Sequence, residues 1–281
     1  MKVIKSVQKM HKLSDEIRQQ GNSIGFIPTM GYFHEGHLSL MRIAREKADI
    51  VVISIYVNPT QFEPGEDFED YPRDFNRDKN LAAKNGVDII FYPYDKEMYP
   101  ERFLTAVTVD KITQIMCGIS RPHHFEGVTT VCAKLFNIIK PHFAVFGRKD
   151  FQQSVVIKQM VRDLNFDLDI ITGPIIRESD GLAMSSRNIY LSDEERKDAL
   201  SLNRSLLKAE EMVHQGERKI EILSKFIENE ISSKKNTRID YISIVDPETL
   251  EPLEYIRERA LIALAVFVGK TRLIDNVLIE L

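Results

Sequence analysis

The sequence predicts an α/β protein, a Rossmann-like, doubly wound parallel sheet followed by a smaller C-terminal α+β domain. Short apolar runs alternate with longer segments that carry apolar residues every three or four positions. One of these runs, residues 49–57, is almost wholly apolar, which is typical of a parallel strand buried on both faces. The 281 residues also exceed the roughly 250 at which single cores stop growing. We therefore predict a first domain over residues 1–175 and a second over residues 176–281.

The elements of the first domain follow from this periodicity. Val7, Met10, Leu13 and Ile17 have helical spacing and predict the first helix. Helices are predicted over residues 3–20, from His37 onward, and over 73–85, 128–139 and 150–164. Strands are predicted over residues 24–27, 49–57, 87–92, 143–146 and 168–172. Ligands of such a sheet bind outside the carboxyl ends of the strands, so we expect the functional residues there.

The second domain has a different order of elements, with helices first and strands afterwards. Helices are predicted over residues 192–215 and 217–233, and strands over 239–245, 261–268 and 272–277. This segregation is typical of an α+β unit, which we expect to close over a ligand of the first domain.

Composition narrows the class of protein. A formal net charge of −4 argues against a general nucleic-acid binder, which would carry a basic surface. The amino terminus lacks the apolar core of a signal peptide, and no apolar run approaches the roughly 18 residues of a membrane span. Cys117 and Cys132 are too far apart for a CxxC site and are predicted to be buried free thiols. We expect a cytoplasmic protein that binds neither nucleic acid nor membrane.

The stretch from Ile24 to His37, IGFIPTMGYFHEGH, is typical of a strand, a tight turn and the start of a helix. The first turn of a helix presents unpaired N–H groups to an anion, and Gly36 allows a phosphate to approach the backbone closely. His34 and His37 are three residues apart, so both are expected to reach the same ligand. A histidine at a helix start is otherwise most often a cap or a surface group, but here two histidines and two glycines follow a strand.

The HEGH tetrapeptide resembles the HxGH signature of the nucleotidyltransferase superfamily. Further segments widen this resemblance: VNPTQF, YPRD, RPHHFEGV, FGRKDFQQ, RESDGLAMSSRN and TRLIDN. Taken in order from Pro28 to Asn276, they resemble the pantoate–β-alanine ligase family over nearly the whole chain. The resemblance implies ATP-dependent activation of pantoate to pantoyl adenylate with release of pyrophosphate. Attack by the amine of β-alanine would then give pantothenate and AMP.

The resemblance also implies roles for particular residues. The catalytic group would be His37, as the preferred proton donor, with His34, Lys149 and Arg187. Residues implied to contact ATP are Met30, Gly31, His34, Gly36, His37, Gly147, Arg148, Lys149, Asp150, Ile176, Met184, Ser185, Ser186 and Arg187. Residues implied to contact pantoate or β-alanine are Gln61, Gln153, Met30 and Asn58, with Phe62 as a further apolar wall. Two anions meet when a carboxylate attacks a phosphate, so cations such as Lys149 and Arg187 suit this chemistry.

Several points stay open at this level. The acidic loop, residues 63–70, is equally consistent with a cover over the adenylate and with a solvated loop. Asp78 could help to hold Mg²⁺, which the resemblance implies together with a homodimer, but Mg²⁺ often relies on nucleotide phosphates and water. Arg121 and His124 match the family pattern without an assigned role. Two other functions remain, a nucleotidyltransferase that leaves the nucleotide on its product and a nucleotide-binding regulatory protein without turnover.

Overall fold

The computed structural model describes all residues from Met1 to Leu281 and contains two sheets. The larger sheet has six parallel strands in the order β1-β4-β3-β2-β5-β6. The order reverses between β2 and β5, so the first sheet is doubly wound, as the sequence predicts. None of the helices is long and apolar enough to cross a membrane.

The bounds of the elements are as follows. The strands are β1 Lys2–Ile4, β2 Ile24–Thr29, β3 Ile50–Ile55, β4 Ile89–Phe91, β5 Phe143–Gly147, β6 Asp169–Gly173, β7 Thr237–Val245, β8 Arg259–Val268 and β9 Thr271–Glu280. The helices are α1 Val7–Gln19, α2 Glu35–Lys47, α3 Phe75–Lys84, α4 Asp95–Met98, α5 Cys117–Ser120, α6 His124–Ile139, α7 Phe151–Asp163, α8 Asp193–His214 and α9 Ile220–Ser232. Short 3₁₀ turns cover Pro59–Gln61, Arg148–Asp150 and Ser186–Tyr190.

The central strands are buried on both faces. Phe26 and Val52 belong to one apolar cluster, and their neighbours Ile27 and Ile53 belong to another on the opposite face. Successive side chains of a strand point to opposite faces, so a strand covered by helices on both sides must be apolar throughout. This explains the nearly continuous apolar run of β3.

The predicted start of the first helix is wrong. Residues 2–4 form β1, which pairs in parallel with β4 at the edge of the sheet, and α1 begins only at Val7. Three residues are too few to reveal a strand period, and pairing with a strand more than eighty positions away decided their conformation. Helix α6 begins at His124 rather than at residue 128, and the sequence-based prediction did not include α4 or α5.

The C-terminal part contains the smaller sheet, in which β7, β8 and β9 are antiparallel neighbours. Helices α8 and α9 pack on it through a cluster of apolar residues that includes Leu202, Leu223 and Ile262. Strand β6 ends at Gly173, close to the predicted boundary at residue 175. That boundary and the closing motion of the second domain stay predictions.

Candidate active site

One large cavity lies where the carboxyl ends of β2, β3 and β5 meet the C-terminal part of the chain. The sequence-predicted residues that line it are Met30, His34, Gly36, His37, Asn58, Gln61, Phe62, Gly147, Lys149, Asp150, Gln153, Ile176, Met184, Ser185, Ser186 and Arg187. Two predicted residues, Gly31 and Arg148, do not line the cavity. Segments separated by about 150 positions in the chain therefore share one space.

His34 and His37 lie at the start of α2, and a hydrogen bond links them. His34 is the N-cap, and its Nδ1 accepts a hydrogen bond from the backbone N–H of Gly36 at 3.2 Å. The backbone N–H of His34 donates to Nδ1 of His37 at 3.3 Å, and the two ring centroids are 4.1 Å apart. Because both Nδ1 atoms accept, each neutral ring carries its proton on Nε2 and can donate from there.

Both histidines are held in their neutral form. Burial, followed by the nearby Lys149 charge, lowers the pKa of His34 to about 4. Burial, followed by His34 and Lys149, lowers the pKa of His37 well below its usual value. At neutral pH the uncharged ring of His37 is therefore able to donate a hydrogen bond from Nε2. Its role as the preferred proton donor stays a prediction.

The GRKD segment follows β5 and is fastened to the second sheet. Asn276 of β9 donates from Nδ2 to the backbone carbonyls of Arg148 and Lys149, each at 3.0 Å. Asn276 is buried and also lines the cavity. It belongs to the TRLIDN segment, but no sequence pattern indicates its role, because its partners lie about 127 positions away.

The MSSR segment adds two serine hydroxyls and the Arg187 guanidinium to the lining of the cavity. Ser186 donates from Oγ to the carbonyl of Tyr32 at 3.2 Å, which ties this segment to the turn before α2. Arg187 donates from Nε and Nη2 to the two carboxylate oxygens of Asp67, both at 2.7 Å. Burial tends to raise the pKa of Asp67, but the bonds from Arg187 outweigh it and hold that pKa below its usual value. The Arg187 guanidinium is thus paired with an acid of the loop over residues 63–70.

The same acidic loop has a second anchor. Glu66 accepts from Nε and Nη2 of Arg121, both at 2.6 Å. Arg121 also donates to the carbonyl of Gln61 at 3.1 Å. Two bidentate pairs, to arginines in different parts of the chain, hold the loop against the cavity, which is not the arrangement of a freely solvated segment.

Amide side chains gather beside the end of β3. Gln61 donates from Nε2 to the sulfur of Met30 at 3.2 Å, and Asn58 donates to Oε1 of Gln61 at 3.3 Å. The Nδ1 atom of His124 lies 2.9 Å from the carbonyl oxygen of Gln61. Burial, followed by Arg121, lowers the pKa of His124 to about 3, so this ring is neutral as well.

Gln153 lies in the first turn of α7, shortly after the end of β5 and within the helix predicted over residues 150–164. It lines the cavity, as does its neighbour Gln152, which is buried and donates from Nε2 to the carbonyls of Ile112 and Ile115 at 2.9 and 2.8 Å. The amide nitrogen of Gln152 is thus occupied by two backbone carbonyls.

The donor set does not form a protein cage for a metal ion. No group of three or more His, Cys, Asp or Glu side chains is placed to hold one. The two carboxylate oxygens of Asp78, the acid considered for Mg²⁺, accept backbone N–H groups of Tyr32 and Phe33. The side chains of the site therefore fit a Mg²⁺ that would be held mainly by nucleotide phosphates and water.

Comparison with known proteins gives a consistent result along the whole chain. The profile of the family described as Pantoate-beta-alanine ligase matches residues 2–278. The chain is 56% identical over 280 residues to the pantothenate synthetase of Caldicellulosiruptor bescii, covering 100% of this chain and 99% of that protein. It is also 56% identical over 276 residues to the pantothenate synthetase of Syntrophus aciditrophicus, covering 98% and 96%.

Solved structures agree with the sequence relatives. A crystal structure of pantothenate synthetase from Thermus thermophilus superimposes with a TM-score of 0.93 at 43% identity, covering 99% of both chains. The pantoate-beta-alanine ligase of Francisella tularensis, solved in complex with "Beta-gamma ATP and Beta-alanine", gives a TM-score of 0.80 at 33% identity. That match covers 99% of this chain and 97% of the other.

Proposed function

The chain belongs to the pantoate–β-alanine ligase family, and on that premise we propose that it condenses pantoate with β-alanine to pantothenate at the expense of ATP. The observation that carries this proposal is the convergence of HEGH, GRKD and MSSR on one cavity that also receives Gln61 and Gln153. ATP and β-alanine are the ligands named for the Francisella tularensis relative.

The reaction proceeds in two steps through an acyl adenylate. A carboxylate oxygen of pantoate attacks the α-phosphorus of ATP, the bond from that phosphorus to the bridging oxygen breaks, and pyrophosphate leaves. The neutral amine of β-alanine then attacks the carbonyl carbon of the adenylate. The carbon–oxygen bond to AMP breaks, the amide forms, and the nitrogen loses a proton to the surroundings.

Four side chains are suited to the first step. Charge accumulates on the phosphate oxygens as the carboxylate approaches, and donors already aimed at that position stabilise it without reorganising. The Nε2–H groups of His34 and His37 can serve as such donors, because both rings are neutral and their Nδ1 atoms are already occupied. Lys149 and Arg187 supply positive charge from two other walls of the same cavity.

Pantoate needs polar partners for its carboxylate and hydroxyls beside apolar walls for its two methyl groups. Gln61 and Gln153 offer amides, and Met30 and Phe62 offer apolar surface on the same lining. Asn58 supports Gln61 by a hydrogen bond to its side-chain oxygen. The pantoate pocket of this proposal therefore lies beside the ends of β2 and β3, next to the two histidines.

A Mg²⁺ bound with ATP would be held mainly by the phosphates and water, and it would supply positive charge to the phosphates. The proposed assembly is a homodimer, on the family resemblance, and sedimentation analysis of the purified chain tests it. The proposed compartment is the cytoplasm, with which two buried free cysteines, Cys117 and Cys132, are consistent.

Pantoate-dependent exchange of labelled pyrophosphate into ATP tests the first step and the substrate together. We expect exchange only when pantoate is present, and AMP release only when β-alanine is added as well. A product that keeps its nucleotide would instead identify a nucleotidyltransferase. Absence of exchange in folded protein that binds ATP would favour a regulatory protein.

A further inference from the structure

Asp78 is a buried carboxylate that lies behind the active site. It belongs to α3, it is 1% exposed, and it does not line the cavity. Its Oδ2 accepts from the backbone N–H of Tyr32 at 2.6 Å, and its Oδ1 accepts from the backbone N–H of Phe33 at 2.8 Å. Both carboxylate oxygens are thus used to hold the turn that leads into the HEGH segment.

That turn has a backbone conformation that needs support. Gly31 has a φ of +91° and Tyr32 a φ of +51°, which is the left-handed region that residues with a Cβ disfavour. Successive N–H groups of such a turn converge and attract an anion. A side chain on Gly31 would place its Cβ 3.0 Å from Oδ2 of Asp78, so the carboxylate fills the space that the glycine leaves.

Two further contacts meet at the same turn. Arg77, the neighbour of Asp78 on α3, donates to the carbonyl of Phe33 at 2.8 Å. Ser186 of the MSSR segment donates to the carbonyl of Tyr32 at 3.2 Å. The peptide units of Tyr32 and Phe33 are therefore held both by α3 and by the MSSR segment.

The turn leads directly to both histidines. Phe33 is fully buried, its ring centroid lies 5.5 Å from that of His37, and the next residue is the N-cap His34. A rotation of the Tyr32–Phe33 peptide units would change where the backbone N–H of His34 points. That N–H sets the orientation of His37 through its bond to Nδ1.

We propose that Asp78 is a positioning residue for adenylation, whose carboxylate fixes the left-handed turn and thereby aims the Nε2–H groups of His34 and His37 at the reacting phosphate. This role rests on the proposed function of the cavity. Asp78 acts through the backbone and does not touch the substrate. Displacing a hydrogen-bond donor by about 1 Å can cost roughly a hundredfold in rate, so a carboxylate behind the site controls the rate without changing the cavity lining.

Asp78→Asn tests the proposal because it keeps the size of the side chain but can accept only one of the two N–H groups. We expect the maximal rate of pantoate-dependent pyrophosphate exchange to fall by about 10- to 100-fold. The KM values for ATP and pantoate are expected to stay within about threefold, since the binding residues remain in place. In ¹⁵N-labelled protein, the ring signals of His34 and His37 should shift or broaden.

Asp74→Asn is the matched control. Asp74 lies on the exposed side at the start of α3 and caps it by accepting from the backbone N–H of Arg77 at 3.0 Å, and asparagine caps a helix equally well. The control removes the same charge from the same helix but leaves the turn intact. Exchange rate and histidine signals should match those of the wild type.

Arg77→Gln is a second variant that tests the proposal if Asp78→Asn does not fold. Arg77 is half exposed, so its replacement leaves the core intact but removes one bond to the turn. We expect the exchange rate to fall by at least about threefold, with the same histidine signals perturbed. If Asp78→Asn folds and keeps the wild-type exchange rate and histidine signals, the proposal is overturned. If Asp78→Asn does not fold, a wild-type exchange rate and wild-type signals in Arg77→Gln overturn it instead. Failure of exchange in the wild-type chain would instead reject the proposed function.

Discussion

The two histidines of HEGH owe their chemistry to hydrogen bonds that involve only neighbouring residues. Each Nδ1 accepts from a backbone N–H, and burial keeps each ring neutral, because it lowers both pKa values. A neutral ring with its proton on Nε2 is a hydrogen-bond donor that does not depend on pH near neutrality. The arrangement suits stabilisation of a phosphate that gains charge, because the donor needs no protonation beforehand.

Replacing His37 with alanine should lower the rate of adenylation by about 10²- to 10³-fold, the usual effect of losing one such donor. Single-turnover formation of the adenylate measures this rate directly. His37→Asn, whose amide can still donate, should retain more activity than the alanine variant. His214→Ala, at an exposed histidine near the end of α8, is the control. An unchanged single-turnover rate in His37→Ala would remove the residue from the mechanism.

Acid should destabilise the fold through its buried histidines. Burial, with nearby positive charge, lowers the pKa of His34 to about 4 and that of His124 to about 3. In the unfolded chain both rings titrate near their ordinary value of about 6.5, so between that pH and the folded pKa values the unfolded state binds more protons. The free energy of unfolding should therefore fall as the pH is lowered from about 6.5 towards about 4.

Thermal unfolding followed between about pH 7 and pH 4 measures this effect. The His124→Gln variant should lose less stability than the wild type over the same range, because one proton fewer is taken up on unfolding. An equal loss in the two proteins would show that His124 does not contribute to the pH dependence.

Among the elements, the acidic loop over residues 63–70 has the most direct bearing on ligand binding. Its Asp67 occupies the pair of Arg187 guanidinium N–H groups that phosphate oxygens would use. Its Glu66 accepts in the same bidentate way from Arg121. Asp67 thus occupies the position that a phosphate would take on Arg187, which is proposed to bind the triphosphate. We therefore expect the nucleotide to compete with Asp67 for Arg187.

Asp67→Asn should therefore raise the affinity for a non-hydrolysable ATP analogue, by about threefold to tenfold, because a neutral amide competes less well for Arg187. Titration calorimetry of the folded variant measures the Kd. Glu69→Gln, at an exposed acid of the same loop, controls for the general effect of removing a negative charge. An unchanged or weaker affinity in Asp67→Asn would mean that the pair does not oppose nucleotide binding.

At the scale of the whole molecule, the cavity depends on contacts between the two sheets. Asn276 of β9 holds the carbonyls of Arg148 and Lys149 in the first unit. Its neighbour Asp275 pairs with Arg177, at 2.7 and 3.0 Å, in the segment that leads to MSSR. Strand β9 therefore sets the relative position of two segments proposed to hold ATP.

Asn276→Ala should weaken ATP binding by about tenfold, since it releases the loop that carries Lys149. Leaving two carbonyls without their donor should also reduce the free energy of unfolding by about 1–3 kcal/mol. Denaturant unfolding and calorimetric titration measure the two effects. Asn236→Ala, in the same C-terminal part but bonded to Asp198 away from the cavity, separates loss of stability from loss of binding. Equal ATP affinity in Asn276→Ala and the wild type would contradict the role of β9.

By itself the sequence determined the fold class, the order of most elements and the segments that surround the cavity, because apolar periodicity and short motifs are local properties of the chain. It did not reveal β1, whose strand conformation comes from pairing with β4. Only the tertiary structure decided the lowered pKa of His37, the pairing of Asp67 with Arg187, the anchor at Asn276 and the contacts of Asp78 with the turn. Each of these depends on burial or on contacts between residues brought together by folding, and such properties leave no periodic signal in the sequence.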